Sequence, residues 1–330
     1  MNRASWTEAL AQAFHLGPVL HAEALTTGLI QQTWRLTTGH ACYIAQKLHP
    51  IFDARVTEDA HAISHYLNTH HFPAPELLTT QAGTLHLECE GSLWRVMTCL
   101  PGETYQRAPS LEYLSQAGQT LGRLHRLLAL LDYAFRFQIP YFHDPAHIAQ
   151  ALFAYAPTAE TRADLAFYQT AISGLELPSG LPRQIIHGDP KLSNFLFAKS
   201  AQVTGMVDLD TFMVHYRLVE LGDALRSWCT VGEHFDRAHF RAGLTGYAAT
   251  GLLTPLEHKH LLTGVKLITL ELGMRYLKDV FEDCYFQWDP LLYPSRPAHN
   301  LARARRQTAV YRDILRQEDD LEAVVTAILA

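Results

Sequence analysis

His187-Gly188-Asp189-Pro190-Lys191-Leu192-Ser193-Asn194 gathers an acid, a lysine and a carboxamide within eight residues. A second acidic run, Val207-Asp208-Leu209-Asp210, places Asp208 fourteen residues after Asn194. Phosphoryl transfer from a nucleotide requires these groups. One carboxylate orients the attacking hydroxyl and takes its proton, while a carboxamide and a second carboxylate hold Mg²⁺ on the triphosphate. Asp189 suits the first role, and Asn194 and Asp208 suit the second. Lys191, two residues past Asp189, is within reach of a transferring phosphate. Asp and Asn also favour turns for local hydrogen-bonding reasons, so Asp189 alone would carry no such meaning. The complete set at this spacing does.

Such groups need rigid elements beneath them. Ile185-Ile186 and Phe195-Leu196-Phe197 read as short strands on either side of the loop. Asp208 reads as strand-borne, so that Asp210 faces the same way and supports the metal or the substrate, or caps the turn at Thr211. Glu220-Leu221-Gly222-Asp223 opens a helix in which Asp223 is expected to bond the backbone of the catalytic loop.

Upstream, Ser5-Trp6-Thr7-Glu8 is a capping box that opens a helix to about His15. Strands are expected at 20–24, 31–38, 42–48, 84–90 and 93–98, with a helix at 57–70 that Phe72-Pro73-Ala74-Pro75 ends. Cys99-Leu100-Pro101-Gly102-Glu103 breaks the last strand and reads as a hinge. Beyond it the chain turns helical. Leu114, Ala117, Leu121, Leu124 and Leu128 form one apolar stripe, and further helices are expected near 145–155, 161–174, 219–230, 235–249, 255–281 and 301–328.

A nucleotide also needs a loop over its phosphates, a cation and a carboxylate to hold that cation. Thr26-Thr27-Gly28-Leu29 lies between two strands at the place for the loop. With Gly28 as its one glycine it is no G-x-G-x-x-G cradle, and a hairpin turn accounts for it as well. Lys47 ends the third strand where the cation belongs. Gln46 faces the other side, and a one-residue change of register exchanges the two. Glu58, in the first turn of the following helix, is placed to pair with Lys47, although the helix dipole favours an acid there regardless. Backbone groups around Leu100 would hold the adenine.

The 330 residues suffice for two units with their own cores. A hydrophobic content of 48% with 18% charged residues excludes a disordered chain. The net charge of −6 leaves no basic excess for a nucleic-acid partner, though it does not count against ATP. Five dispersed cysteines without a C-x-x-C pair suggest reduced thiols and a cytoplasmic protein. No apolar run reaches membrane-spanning length, so no membrane partner is expected. The nineteen histidines show no metal-binding spacing.

The H-G-D-x-x-x-x-N loop, the Val207-Asp208-Leu209-Asp210 run, Gly222-Asp223 and Leu121-Gly122-Arg123-Leu124-His125 together resemble the aminoglycoside-phosphotransferase and choline-kinase superfamily. The resemblance covers nearly the whole chain. It implies an α+β, bilobal, protein-kinase-like fold. The small antiparallel-sheet N-lobe would span 1–99, and the larger, mostly helical C-lobe 100–330. It also implies Mg²⁺- and ATP-dependent transfer to a small-molecule hydroxyl. Shorter segments are similar to bacterial N-acetylhexosamine 1-kinases: Tyr43-Ile44-Ala45-Gln46-Lys47, Asp208-Leu209-Asp210-Thr211, Glu271-Leu272-Gly273-Met274-Arg275-Tyr276-Leu277 and the stretch from Arg296 to Arg305. That similarity implies an amino-sugar acceptor. Gly188 gives the loop a form shared with enzymes acting on aminoglycosides, choline or homoserine, so those acceptors stand as alternatives. If the 296–306 stretch is helical, Asn300 and Arg303 share a face. They could clasp sugar hydroxyls there or serve a solvated basic helix. A binding module that has lost catalysis would lack Asp189, Asn194 or Asp208, and all three are present.

Overall fold

The computed structural model describes residues 5–25 and 31–329, and Gly28 therefore lies outside the described residues. In chain order come helix α1 (Trp6–Ala13), strands β1 (Val19–Leu25), β2 (Gln32–Thr38) and β3 (Cys42–Lys47), helix α2 (Arg55–Thr69), and strands β4 (Leu87–Cys89) and β5 (Ser92–Thr98). Helices α3 (Leu111–Leu128), α4 (Pro145–Phe153) and α5 (Arg162–Ile172) follow. Next are strands β6 (Arg183–Ile186), β7 (Phe195–Phe197), β8 (Val203–Met206) and β9 (Met213–Tyr216). Helices α6 (Arg217–Cys229), α7 (Arg237–Ala248), α8 (Pro255–Glu282), α9 (Arg296–Arg316) and α10 (Glu318–Leu329) lie beyond them.

The chain forms two compact units. One comprises Met1–Thr104, Asp132–Ile139 and Ser193–Phe212, the other Tyr105–Leu131, Pro140–Leu192 and Met213–Ala330. In the first, an antiparallel sheet has the order β1-β2-β3-β5-β4. The Ser5–Glu8 capping box is formed and starts α1, whose Leu10 packs with Phe14, Leu36, Ala45, Trp94 and Val96 on one sheet face. Trp6 stacks on Trp94 with ring centroids 4.8 Å apart. Two later stretches join this unit through specific bonds. Buried Asp59 of α2 accepts from the Tyr133 hydroxyl and from the backbone N–H groups of Arg136 and Phe137. The β7–β8 hairpin is tied in where Met206 N–H donates to Pro73 O and where Glu103 bridges to Phe197.

The second unit is helical around the short β6–β9 pair. The α3 stripe Leu114, Ala117, Leu121, Leu124 and Leu128 is buried as its spacing predicts. Helices α3 and α7 meet backbone to backbone. A Cβ on Gly246 would fall 2.0 Å from Ser115 O, which leaves glycine as the residue that fits. The expected helix at 301–328 is instead two. Ser295 caps α9 by accepting from Ala298 N–H, which starts the helix earlier. Gln317 ends it and donates its side-chain amide to Phe235 O and Asp313 Oδ2. No helix among the described residues is long and apolar enough to cross a membrane.

Candidate active site

The catalytic-loop motif passes from one unit to the other between Leu192 and Ser193, so each unit carries part of it. In the second unit, β6 delivers the chain into the loop, and Gly188 takes φ +84°, a turn that a side chain would strain. Side chains then fix the loop by its backbone. Glu220 of α6, fully buried, accepts from His187 N–H at 2.8 Å and Gly188 N–H at 3.0 Å. His125 of α3 bonds the same carboxylate at 2.7 Å, and its other ring nitrogen meets the Tyr247 hydroxyl at 2.7 Å. The Gly188 carbonyl lies 2.7 Å from His143 Nε2, and Trp228 Nε1–H donates to Pro190 O at 2.9 Å. The loop-bonding acid is therefore Glu220. Asp223, expected in that role, lies one helical turn further on and accepts from Arg226 at 2.9 Å.

Asp189 emerges from this braced backbone with Lys191 Nζ 2.5 Å from its Oδ2. Burial acts to raise the Asp189 pKa. The Lys191 ammonium and its hydrogen bond outweigh that effect, helped by His187 and Arg226, and hold the carboxyl below its ordinary range. Asp189 is therefore an anion at neutral pH. It can accept a hydrogen bond from a hydroxyl and orient it, as a weak rather than a strong base.

His143 faces Glu271 of α8 at 3.2 Å. Burial acts to lower its pKa, but the Glu271 carboxylate, with Asp223 and the Gly188 carbonyl, prevails and lifts it to about 9. His215 of β9, whose ring centroid is 6.2 Å from that of His143, goes the other way, to about 4, through burial and the neighbouring His143 charge.

Sequence reasoning missed Arg275 of α8. Its guanidinium carbon lies 4.8 Å from the Phe142 ring centroid, 5.5 Å from Tyr285 and 5.6 Å from Phe286. Its Nη2 donates to the Tyr285 hydroxyl at 3.2 Å, and among the described residues no carboxylate forms an ion pair with it. Burial works against its charge, while Tyr285, Glu271, Tyr276 and Asp189 support it. Only tertiary structure brings Phe142, 133 positions upstream of Arg275, into this cradle, and no periodicity could have signalled it.

Asn300 and Arg303 sit differently from the expectation that they clasp a substrate. Asn300 is fully buried and donates to Asp279 Oδ2 at 2.8 Å. Asp279 also accepts from the backbone N–H groups of Cys284, Tyr285 and Phe286, closing the chain that leaves α8. Arg303 Nη1 donates to Gln287 O at 2.8 Å and Asn300 Oδ1 at 3.0 Å. Both residues thus brace the segment that carries Tyr285.

The first unit holds the rest of the motif. Asn194 Nδ2 lies 3.4 Å from Asp208 Oδ2 across the β7–β8 hairpin. This pairs an amide with a carboxylate, both hard oxygen donors of the kind Mg²⁺ accepts alongside phosphate and water, so the residues fit that ion. Asp208 is not strand-borne. Strand β8 stops at Met206, and Asp208 adopts the left-handed region at φ +68° before a single 3-10 turn, Leu209–Thr211. Asp210 consequently does not follow strand alternation. It is buried and held by Arg95 at 2.6 Å and by Gln31 Nε2 at 2.9 Å.

The cation and helix-acid expectations are both corrected. In the β3 register Lys47 lies opposite Trp94, and Ala45 opposite Trp34, so Lys47 is on the α1 face. Gln46 lies opposite Arg95 on the other face and lines a recess with Arg95, Asp208, Leu77 and Met97. Glu58 turns to solvent, where it pairs with Arg136. Leu100 follows β5 and packs on β8, where a Cβ on Gly205 would come within 2.6 Å of its Cδ1.

A sequence model of the phosphotransferase enzyme family, APH, matches residues 21–253. The chain belongs to this family and is a small-molecule phosphotransferase within it. Solved structures of low identity share its fold. The amicoumacin kinase hAmiN, solved with AMP-PNP, Ca²⁺ and Ami, is 15% identical, with a TM-score of 0.67 over 91% of each chain. A microcompartment-associated aminopropanol kinase is 16% identical, with a TM-score of 0.68 over 92% of this chain and 94% of its own. A choline/ethanolamine kinase family protein from Mesorhizobium loti is 17% identical, with a TM-score of 0.62 over 97% of this chain and 96% of its own. The fold is the α+β kinase-like one expected, and ATP with a divalent metal ion is consistent with the family.

Proposed function

We propose that this chain transfers the γ-phosphate of ATP to a hydroxyl of an amino sugar, the anomeric hydroxyl of an N-acetylhexosamine or a related sugar. Asp189 orients the acceptor hydroxyl and receives its proton as the acceptor oxygen bonds to the γ-phosphorus. The bond from that phosphorus to the β–γ bridging oxygen breaks, and ADP leaves. Lys191 offers a positive charge to the transferring group. Asn194 and Asp208 hold Mg²⁺, which when bound neutralises charge on the phosphates. The adenine lies against the backbone near Leu100, and the reaction takes place in the cytoplasm.

The observation carrying the acceptor assignment is Arg275. A guanidinium set among Phe142, Tyr285 and Phe286, in no direct ion pair with a carboxylate among the described residues, disfavours a cationic acceptor. Its donors suit hydroxyl and carbonyl oxygens, and the aromatic rings suit the apolar face of a sugar. Homoserine, which bears a carboxylate, also meets that condition, whereas choline and aminoglycosides do not. The test is ATP consumption with N-acetylhexosamines, free hexoses, homoserine, choline and aminoglycosides offered separately. Turnover with N-acetylhexosamines is expected to exceed that with the others. Preferred turnover of choline or an aminoglycoside would overturn the assignment.

A further inference from the structure

We propose that Arg95 and Asp210 form the latch that sets Asp208 for the metal-bound nucleotide. The proposal rests on the phosphotransferase reading above. In protein kinases a strand lysine and a helix glutamate form the ion pair beside the nucleotide. Here Lys47 is on the wrong sheet face and Glu58 is occupied by Arg136 in solvent. A different pair occupies the face that Gln46 presents.

The Arg95 side chain is 2% exposed and that of Asp210 1%. They make two contacts: Nη2 donates to Oδ2 at 2.7 Å, and Nη1 lies 2.6 Å from Oδ1 as a charge contact outside hydrogen-bond geometry. Arg95 also gives Nε and Nη2 to Gln46 Oε1 at 3.0 and 2.6 Å, and Gln46 in turn donates to Thr33 Oγ1 at 3.2 Å. On the other side, Gln31 Nε2 donates to Asp210 Oδ2 at 2.9 Å, while Gln31 Oε1 accepts from His49 N–H at 2.8 Å. Asp210 is thereby tied to three neighbouring strands or their ends. It lies in the 3-10 turn that begins immediately after Asp208, and Asp208 carries the unfavourable left-handed backbone. A non-glycine residue stays in that region when its surroundings over-determine it. The pinned Asp210 supplies that constraint.

Two energetic points favour positioning over other roles. A buried ion pair recovers little more than the cost of desolvating its own charges, so fixed geometry is its main contribution. Arg95 commits Nε and Nη2 to Gln46 and Asp210 and holds Nη1 against Asp210 Oδ1, which makes it a positioning residue and not a ligand of phosphate.

The test compares wild type with Asp210→Asn and Arg95→Lys by titration calorimetry of ATP over a series of Mg²⁺ concentrations and in EDTA. Thermal unfolding without nucleotide is measured alongside. The latch predicts a rise of about tenfold or more in the Mg²⁺ needed for half-maximal ATP binding, the scale found when groups orienting a metal ligand are removed. ATP binding in EDTA should stay at the wild-type level. Unchanged Mg²⁺ dependence, with or without a lower melting temperature, overturns the latch and leaves the pair structural. An equal loss of ATP binding in EDTA also overturns it, because Arg95 would then act on phosphate directly. Should either variant fail to fold, Gln31→Ala removes one Asp210 donor while keeping the ion pair, and the same two outcomes decide. If wild type itself binds no Mg²⁺-ATP, the phosphotransferase reading has failed instead.

Discussion

Glu220 holds His187 by its backbone, with the His187 N–H 2.8 Å from Glu220 Oε1 in a fully buried setting. The residue that starts the catalytic motif is thus fixed through its peptide group by an acid 33 positions later in the chain. The same carboxylate takes Gly188 N–H, so loosening it should disturb the approach to Asp189. Glu220→Gln keeps the shape and removes the charge. It should lower stability by about 1.5–3 kcal/mol in urea denaturation, the scale of a hydrogen bond to a charged group. Turnover should fall while Mg²⁺-ATP affinity moves little. Wild-type turnover and an unchanged unfolding midpoint would remove Glu220 from the support of the loop.

Asp189 and Asp208 should fail in different ways. Asp189→Asn is expected to cut turnover by about 10²-fold or more, leaving Mg²⁺-ATP affinity within a small factor, because positioning and proton acceptance act on the acceptor. Asp208→Ala should lower both nucleotide affinity and turnover, and excess Mg²⁺ should partly rescue the milder Asn194→Ala. Calorimetry showing unchanged Mg²⁺-ATP binding in Asp208→Ala would refute the metal assignment.

A pH dependence follows from His143. Its folded pKa, about 9, lies above the ordinary value of 6.5 because Glu271 stabilises the imidazolium. The stabilising contribution is therefore complete below about 6.5 and is lost as pH rises through about 9. His215, neutral in the folded state, adds only the tail of an opposing change just above its ordinary value of 6.5. Melting temperature should decline between those two pH values, and His143→Gln should flatten that part of the profile. A profile equally steep in the variant would exclude His143 as the titrating group.

Asn300 and Arg303 should behave as braces. Asn300→Ala removes a buried donor to Asp279 and is expected to cost about 1–3 kcal/mol in thermal or urea unfolding. Arg303→Ala loses its bonds to Gln287 O and Asn300 Oδ1 and should also lower the melting temperature, with KM for ATP unmoved. A large rise in the acceptor KM for Arg303→Ala at unchanged stability would restore it as a substrate contact.

Local chemistry was legible in the sequence. The Ser5–Glu8 cap, the α3 stripe and the Asp189 to Asn194 spacing each depend on residues a few positions apart. Their hydrogen bonds and helical period follow from the backbone alone. Asp208 could be named from its spacing but not its conformation, since a left-handed residue leaves no trace in periodicity.

Choices between near-equivalent residues belonged to the tertiary structure. Side chains alternate across a strand with period two, so one step of register decides between Gln46 and Lys47. The packing of Trp94 against α1 takes that decision. Glu220 and Asp223 lie one helical turn apart, and the placement of α6 beside the loop selects Glu220. The Arg95–Asp210 pair spans 115 residues of chain, and the Arg275 cradle draws on Phe142, Tyr285 and Phe286. Contacts at such separation arise when cores pack and buried charges must find partners. Sequence spacing therefore singled out the candidate reacting groups, and packing decided which residues hold them in place.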